Sequence, residues 1–137
     1  QILSQIQILG LEERVILPGY VPPADLAAWY AGAKLFVMPS LYEGFCMPVL
    51  EAMACGIPVV CSNTSSLPEV VGPAALMFDP LDPRDIASKI DRALTDAELR
   101  SKLVGLGTER AQQFTWIQCA RQVLHALERT LEKQSIR

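Results

Sequence analysis

The sequence predicts an α/β domain built on a parallel sheet, and three observations predict it. The apolar runs at 35–38, 57–61 and 75–78 have the length of buried strands. Between the first two lie a glycine-containing loop and a helical stretch, the order strand, loop, helix, strand of a βαβ unit. After the third run, Asp82-Pro83-Arg84-Asp85 opens an amphipathic helix carrying Ile86, Ile90 and Leu94 on one face, with Asp82 as its cap.

The remaining elements follow in chain order. Ile2, Leu3, Ile6 and Leu9 keep helical spacing, and Gly10 is placed to end that helix. Val15-Ile16-Leu17 reads as a short strand closed by Pro18-Gly19, which brings the expected sheet to about four strands. Tyr20-Val21-Pro22-Pro23 leads into a helix with Leu26, Trp29, Tyr30 and Ala33, whose spacing makes Trp29 and Tyr30 core residues first. Pro48 is expected at the first position of the next helix, where its missing N–H is not needed, with Glu51 in the first turn and Gly56 as the stop. The polar loop Ser62-Asn63-Thr64-Ser65-Ser66 precedes Leu67-Pro68-Glu69-Val70-Val71-Gly72; its hydroxyls suit either turn and cap duty or a sugar or phosphate. Thr95 and Glu98 have the spacing of a capping box for a helix that buries Leu99, Leu103 and Leu106. Thr115 and Gln118 repeat that spacing before a final helix at 116–134. On it Ile117, Ala120, Leu124, Leu127 and Leu131 form a narrow apolar stripe, His125 falls off the stripe, and Lys133 and Arg137 suit a helix C-terminus.

Composition bounds the function. A chain of 137 residues is one domain large enough for a core, and an apolar half argues against disorder. A net charge of −3 gives no electrostatic case for nucleic acid. The apolar runs are far too short to span a membrane. QILSQIQILG lacks the basic region and cleavage site of a secretory leader. Cys46, Cys55, Cys61 and Cys119 form no C-x-x-C pair; they read as buried thiols of a reducing cytoplasm, not as zinc ligands or disulfides, and no metal or cofactor site is expected.

The chemistry concentrates between Pro39 and Gly56, where Glu43 and Glu51 stand with seven residues between them. In a parallel sheet, ligands bind beyond the carboxyl ends of the strands, where helix N-termini offer N–H groups to an anion. Carboxylates there suit a ligand that also carries hydroxyls, because an ionised carboxylate only accepts hydrogen bonds and a vicinal diol offers two donors. A nucleotide sugar has both kinds of group. The other reading leaves Glu43 a solvated loop residue and Glu51 an acid favoured by the helix dipole.

The string PSLYEGFCMPVLEAMACGIPVV resembles the signature of the retaining glycosyltransferases of family 4, which have the GT-B fold. The family pattern is P-S-x-x-E-G-F-G-x-P-x-x-E-A-M-A-x-G-x-P-V-V, and the chain departs from it mainly at Cys46, where the family usually has Gly. GYVPPADLAAWYAGAKLFVMPS, LPEVV, AALMFDPLDPRDIASKI and FTWIQCARQVL extend the resemblance over most of the chain. It implies a Rossmann-like sheet, truncated from the C-terminal half of a GT-B enzyme whose full nucleotide-binding half has about six strands. It also implies transfer of a hexose from a UDP-, GDP- or ADP-linked sugar to an acceptor, with retention of configuration, as in polysaccharide biosynthesis.

By that resemblance Glu51 accepts both ribose hydroxyls, and Glu43 holds hydroxyls of the transferred sugar and is the residue with a catalytic role. Backbone N–H groups of Gly44, Phe45, Cys46 and Met47 line the sugar, those of Val49 and Leu50 face the diphosphate, and Tyr20 and Val21 lie near the base. Cys46 in place of Gly is expected to hold the backbone to negative φ more strongly. The basic Arg and Lys pair of such enzymes falls upstream of this sequence, as does the N-terminal domain that holds the acceptor. Residues 1–137 are therefore expected to be a C-terminal fragment, inactive alone, whose final helix packs partly on that domain and otherwise invites self-association. The expected location is cytoplasmic, with peripheral membrane attachment through the absent part left open. Two other readings stand beside this one: a different GT-B enzyme such as a sugar-nucleotide epimerase or phosphorylase, and a non-catalytic nucleotide-binding or interaction module.

Overall fold

The structure of the protein, a computed structural model, describes residues 2–135, with side chains as far as residue 131. The Lys133 side chain and Arg137 lie outside the described residues. The elements run α1 (Ile2–Ile8), α2 (Pro23–Ala31), β1 (Phe36–Met38), α3 (Met47–Ala54), β2 (Val59–Ser62), α4 (Leu67–Val71), a 3-10 turn (Gly72–Ala74), β3 (Ala75–Phe78), α5 (Pro83–Thr95), α6 (Ala97–Gln112) and α7 (Trp116–Ser135).

The sheet has three parallel strands in the order β1-β2-β3, with Val37 opposite Val60 and Val60 opposite Leu76. Every residue of the central strand is fully buried, as a strand covered on both faces must be. The alternation sorts the core into two layers. Phe36, Val59, Cys61 and Ala75 pack with Val49, Leu50 and Met53 of α3 and with Leu67, Val70 and Val71 of α4. Val37, Val60, Leu76 and Phe78 pack with Ile86, Ile90 and Ala93 of α5. Helix α6 crosses α3 closely at Gly107, where a Cβ would stand 3.1 Å from Met53 Cγ. A Cβ there would crowd the Met53 side chain, which would have to give by a few tenths of an ångström.

Several expectations need correction. The stretch 15–17 is not a strand: Val15, Ile16 and Leu17 are exposed and join no ladder, so the sheet has three strands among the described residues. Pro48 is the second residue of α3, since Met47 is the first, and this moves Glu51 out of the first turn. The cap of α6 is Asp96, whose Oδ1 accepts from Leu99 N–H at 2.9 Å, while Thr95 closes α5 by donating to the Asp91 carbonyl. A carboxylate one residue nearer the helix took the cap from the threonine. Trp29 is exposed, and so is Cys119, against the expectation of core and buried thiol.

Other termini are as expected. Asp82 caps α5 through the Arg84 N–H at 2.9 Å. Thr115 and Gln118 form a reciprocal capping box at α7, with the Gln118 N–H donating to Thr115 Oγ1 at 3.1 Å and the Thr115 N–H to Gln118 Oε1 at 3.4 Å. Gly56, at φ 73°, ends α3 in a Schellman turn: its N–H reaches the Met53 carbonyl and that of Ile57 the Ala52 carbonyl, each at 3.0 Å.

Candidate functional site

Because the strands are parallel, the loops that follow β1 and β2 leave the same edge of the sheet, and the first carries Glu43 while the second is the hydroxyl-rich 62–66. The structure decides what those hydroxyls do. Ser65 Oγ accepts from the Glu43 N–H at 2.9 Å, Ser66 Oγ donates to the Glu43 carbonyl at 3.0 Å, and Thr64 Oγ1 donates to the Leu41 carbonyl at 3.1 Å. Ser62 Oγ reaches the Met38 carbonyl at the end of β1, at 3.3 Å. The second loop thus grips the backbone of the first on both sides of the Glu43 side chain, which stays half-buried. Ser65 adopts a left-handed φ of 50° in doing so.

Cys46 is the hinge between the glutamate loop and α3. It is buried, and its φ of 71° and ψ of 66° are left-handed, which overturns the expectation that a side chain there would hold φ negative. Its carbonyl accepts the Val49 N–H at 3.3 Å, and no side chain caps the helix. Burial pushes the Cys46 thiol up, an effect that the charges of Glu43 and Glu51 reinforce against a hydrogen bond from Val49. One thiol therefore senses both carboxylates. Cys61 beneath it is pushed up to about 12 by burial, with Cys46 adding to the shift. Both are neutral thiols that pack and do not attack.

Glu51 sits half-buried on α3 and accepts the Tyr30 hydroxyl on Oε2 at 2.9 Å. That ring, half-buried on α2, stands 5.7 Å from the Phe36 ring at 59°. Sequence reasoning placed Tyr30 in the core and missed its hydroxyl; helical spacing locates a ring but says nothing about what its far end meets.

The other expected site residues divide. Gly44, Phe45 and Met47 are exposed along the same loop, and the Phe45 ring meets Phe114 edge-on at 5.7 Å. Val49 and Leu50 have buried side chains, which leaves a ligand only their backbone, and the Val49 N–H is already shared with the Cys46 carbonyl at 3.3 Å. Tyr20 is exposed and Val21 half-buried; among the described residues no hydrogen bond or ring contact joins either to the glutamate loop. A cavity of about 610 Å³ opens beside α3 between Phe45, Met47, Glu51, Phe114 and Trp116. Another, of about 720 Å³, lies at the opposite edge of the sheet around Gly56, Pro58 and Leu94, away from both glutamates. Among the described residues no cluster of three or more His, Cys, Asp or Glu side chains could share a metal ion, and no helix is long and apolar enough to cross a membrane.

Comparison with known proteins gives consistent relatives. The family model described as glycosyl transferases group 1 matches residues 1–110. O-antigen chain mannosyltransferase B of Escherichia coli is 51% identical over 108 residues, covering 79% of this chain and 28% of that protein. Sucrose-phosphate synthase from Thermosynechococcus elongatus superposes with a TM-score of 0.84 at 35% identity, over 97% of this chain and 34% of that one. HepE of Anabaena, solved in complex with UDP-glucose, gives a TM-score of 0.83 at 26% identity, over 93% of this chain and 35% of that one. The chain thus spans 28% of the length of the mannosyltransferase and about a third of each solved chain.

Proposed function

This chain belongs to the glycosyl transferases group 1, and from that membership we propose that it is the C-terminal, donor-binding part of an enzyme that moves a sugar from a nucleoside diphosphate to an acceptor with retention of configuration. The observation that carries the reading is the pairing of two separately held glutamates at the carboxyl edge of a parallel sheet: Glu43 in a loop gripped by hydroxyls, and Glu51 fixed by Tyr30. A carboxylate held in place accepts the two donors of a ribose diol without first losing its own freedom. Glu51 takes that role. Glu43 faces hydroxyls of the transferred sugar, and the N–H groups of the loop from Gly44 to Met47 line it. Of Val49 and Leu50 only the backbone faces the diphosphate. Fixed N–H donors stabilise charge that develops on the leaving phosphate. Tyr20 and Val21 border the base by backbone. The mannosyltransferase relative favours mannose as the transferred sugar and polysaccharide synthesis as the setting.

In this reading residues 1–137 close with a longer protein's N-terminal domain, which supplies the acceptor site and the basic pair for the diphosphate, and the apolar face of α7 packs partly on that domain. Alone, the chain transfers no sugar and associates with itself through α7. Turnover of a labelled nucleotide sugar by the 137-residue chain would overturn this division.

The two glutamates give the central test. In the full-length enzyme, Glu51→Ala removes a charged hydrogen-bond acceptor worth about 1.5–3 kcal/mol, a roughly ten- to 150-fold loss of affinity for donor and bare nucleoside diphosphate alike. Glu43→Ala leaves diphosphate binding nearly unchanged while kcat/KM falls, as expected of a contact that matters on the way to the transition state. Calorimetry with UDP, GDP and ADP beside donor kinetics checks both. Equal loss of diphosphate affinity in the two variants would remove Glu43 from the sugar.

A further inference from the structure

We propose that Tyr30 is the positioning residue that sets the orientation of Glu51 and thereby the enzyme's preference for a ribose diol, an inference that rests on the reading of Glu51 just given. The geometry comes from two elements. Tyr30 stands near the end of α2 and Glu51 in the middle of α3, and the hydroxyl of one reaches Oε2 of the other at 2.9 Å across 21 residues of sequence. The ring is itself fixed, tilted on Phe36 of β1 and packed against the buried layer that includes α3. Its only polar atom is thus aimed from a rigid base.

What makes this contact matter is the lack of another. Among the described residues no Lys or Arg lies within ion-pairing distance of Glu51; the one ion pair there joins Lys89 and Asp85. A half-buried carboxylate with no cation beside it is oriented by the donor that reaches it, and that donor is the tyrosine. A phenol suits the task better than a cation would. It gives one hydrogen bond to one oxygen and leaves the second oxygen, and the net negative charge, for the ligand. It also stays a donor, because burial and the bond to Glu51 both hold the proton on the hydroxyl well above its ordinary pKa. Glu51 therefore meets a ligand with one site on Oε2 engaged and the carboxylate held on one side, and the lone-pair sites left on Oε1 and Oε2 suffice for two adjacent hydroxyls.

The test uses the full-length protein and compares each nucleoside diphosphate of the UDP, GDP and ADP panel with its 2′,3′-dideoxy analogue by calorimetry. Wild type prefers the ribo form. Tyr30→Phe keeps the ring and removes the hydroxyl; it should cut that preference about three- to tenfold, roughly the net worth of one ordinary hydrogen bond and less than the loss of the carboxylate itself, with dideoxy affinity unchanged. In the kinetics KM for the donor rises and kcat stays, the signature of lost uniform binding. In a Glu51→Ala background Tyr30→Phe should add nothing. If Tyr30→Phe keeps the wild-type preference while Glu51→Ala abolishes it, Glu51 binds the diol but Tyr30 does not position it, and the inference falls alone. If Glu51→Ala also keeps the preference, the ribose reading of Glu51 fails and the inference with it. A general weakening toward ribo and dideoxy forms alike would assign Tyr30 to packing and overturn the inference.

Discussion

At the scale of single residues the instructive position is Cys46. The sequence marks it as the one departure inside a glutamate-bearing signature, and the structure shows what the departure costs: φ of 71° in a residue that has a Cβ. A left-handed backbone at a residue other than glycine stores on the order of 1 kcal/mol or more, and here the buried thiol, packed in the layer under α3, offsets it. The two contributions separate by substitution. Cys46→Ala keeps the strain and loses the thiol's contacts, whereas Cys46→Gly loses the same contacts and relieves the strain. The glycine variant should therefore be more stable than the alanine variant by about 1 kcal/mol in urea unfolding. Equal stabilities, or the reverse order, would mean that the loop does not hold this residue left-handed. The places of both glutamates, one in the loop after β1 and one on the helix that follows, were legible in the sequence because the strand, loop, helix, strand order fixes them. The conformation of Cys46 was not, since sequence shows that a side chain is present and not that its surroundings force the backbone to bear it. The same limit hid the hydroxyl of Tyr30, whose partner lies on another helix.

At the scale of elements the loops after β1 and β2 behave as one body. Their coupling runs through side-chain hydroxyls onto backbone, so it can be weakened without touching either glutamate side chain. Ser66→Ala removes a donor to the Glu43 carbonyl and should cost about 1 kcal/mol of stability, the net worth of one such bond. On the roles proposed for the two glutamates, freeing the loop on one side should lower kcat/KM of the full-length protein about three- to tenfold while affinity for bare nucleoside diphosphate holds, because Glu51 rides on α3 and not on the loop. Unfolding curves and donor kinetics on the same preparation check this; unchanged kinetics beside lowered stability would make the grip structural only. The polar run at 62–66 was visible in the sequence as turn and cap residues or as ligand contacts, and the parallel register, which brings two strand ends side by side, gives its hydroxyls a third use, bonds to the backbone of the neighbouring loop. The strand expected at 15–17 failed for the complementary reason. An apolar triplet satisfies strand propensity but makes a strand only where a neighbour offers its backbone, and Ile16 is 79% exposed with no such neighbour. Where local chemistry alone decides an end, as at Gly56, Asp82 and Thr115, reading and structure agree.

At the scale of the whole molecule the chain divides into a core that is closed and a helix that is open. The sheet, α3, α4 and α6 bury one another, whereas α7 leaves Ile117, Val123, Leu124 and Leu127 more than half exposed behind Trp116 at 83%. Its capping box fixes where it starts, so the apolar stripe foreseen from three- and four-residue spacing is a stripe on a formed helix. What spacing does not reveal is whether such a face meets its own core or something else, because amphipathicity is the same in both cases. The distinction has a measurable consequence. Exposed apolar area of this kind drives association, at about 25 cal/mol for each Å² removed from water. The isolated chain should therefore show a concentration-dependent sedimentation coefficient, and Leu124→Glu with Leu127→Glu should return it to the monomer with thermal stability changed by no more than about 0.5 kcal/mol, the usual bound for surface substitutions. If α7 seats on a preceding domain as proposed, the same double change in the full-length protein should lower kcat/KM while nucleoside diphosphate affinity stays, since neither leucine lines the cavity beside Glu51. Unfolding of the isolated double variant would make the stripe part of the core, and a wild-type chain that stays monomeric at high concentration would leave α7 with no partner to seek.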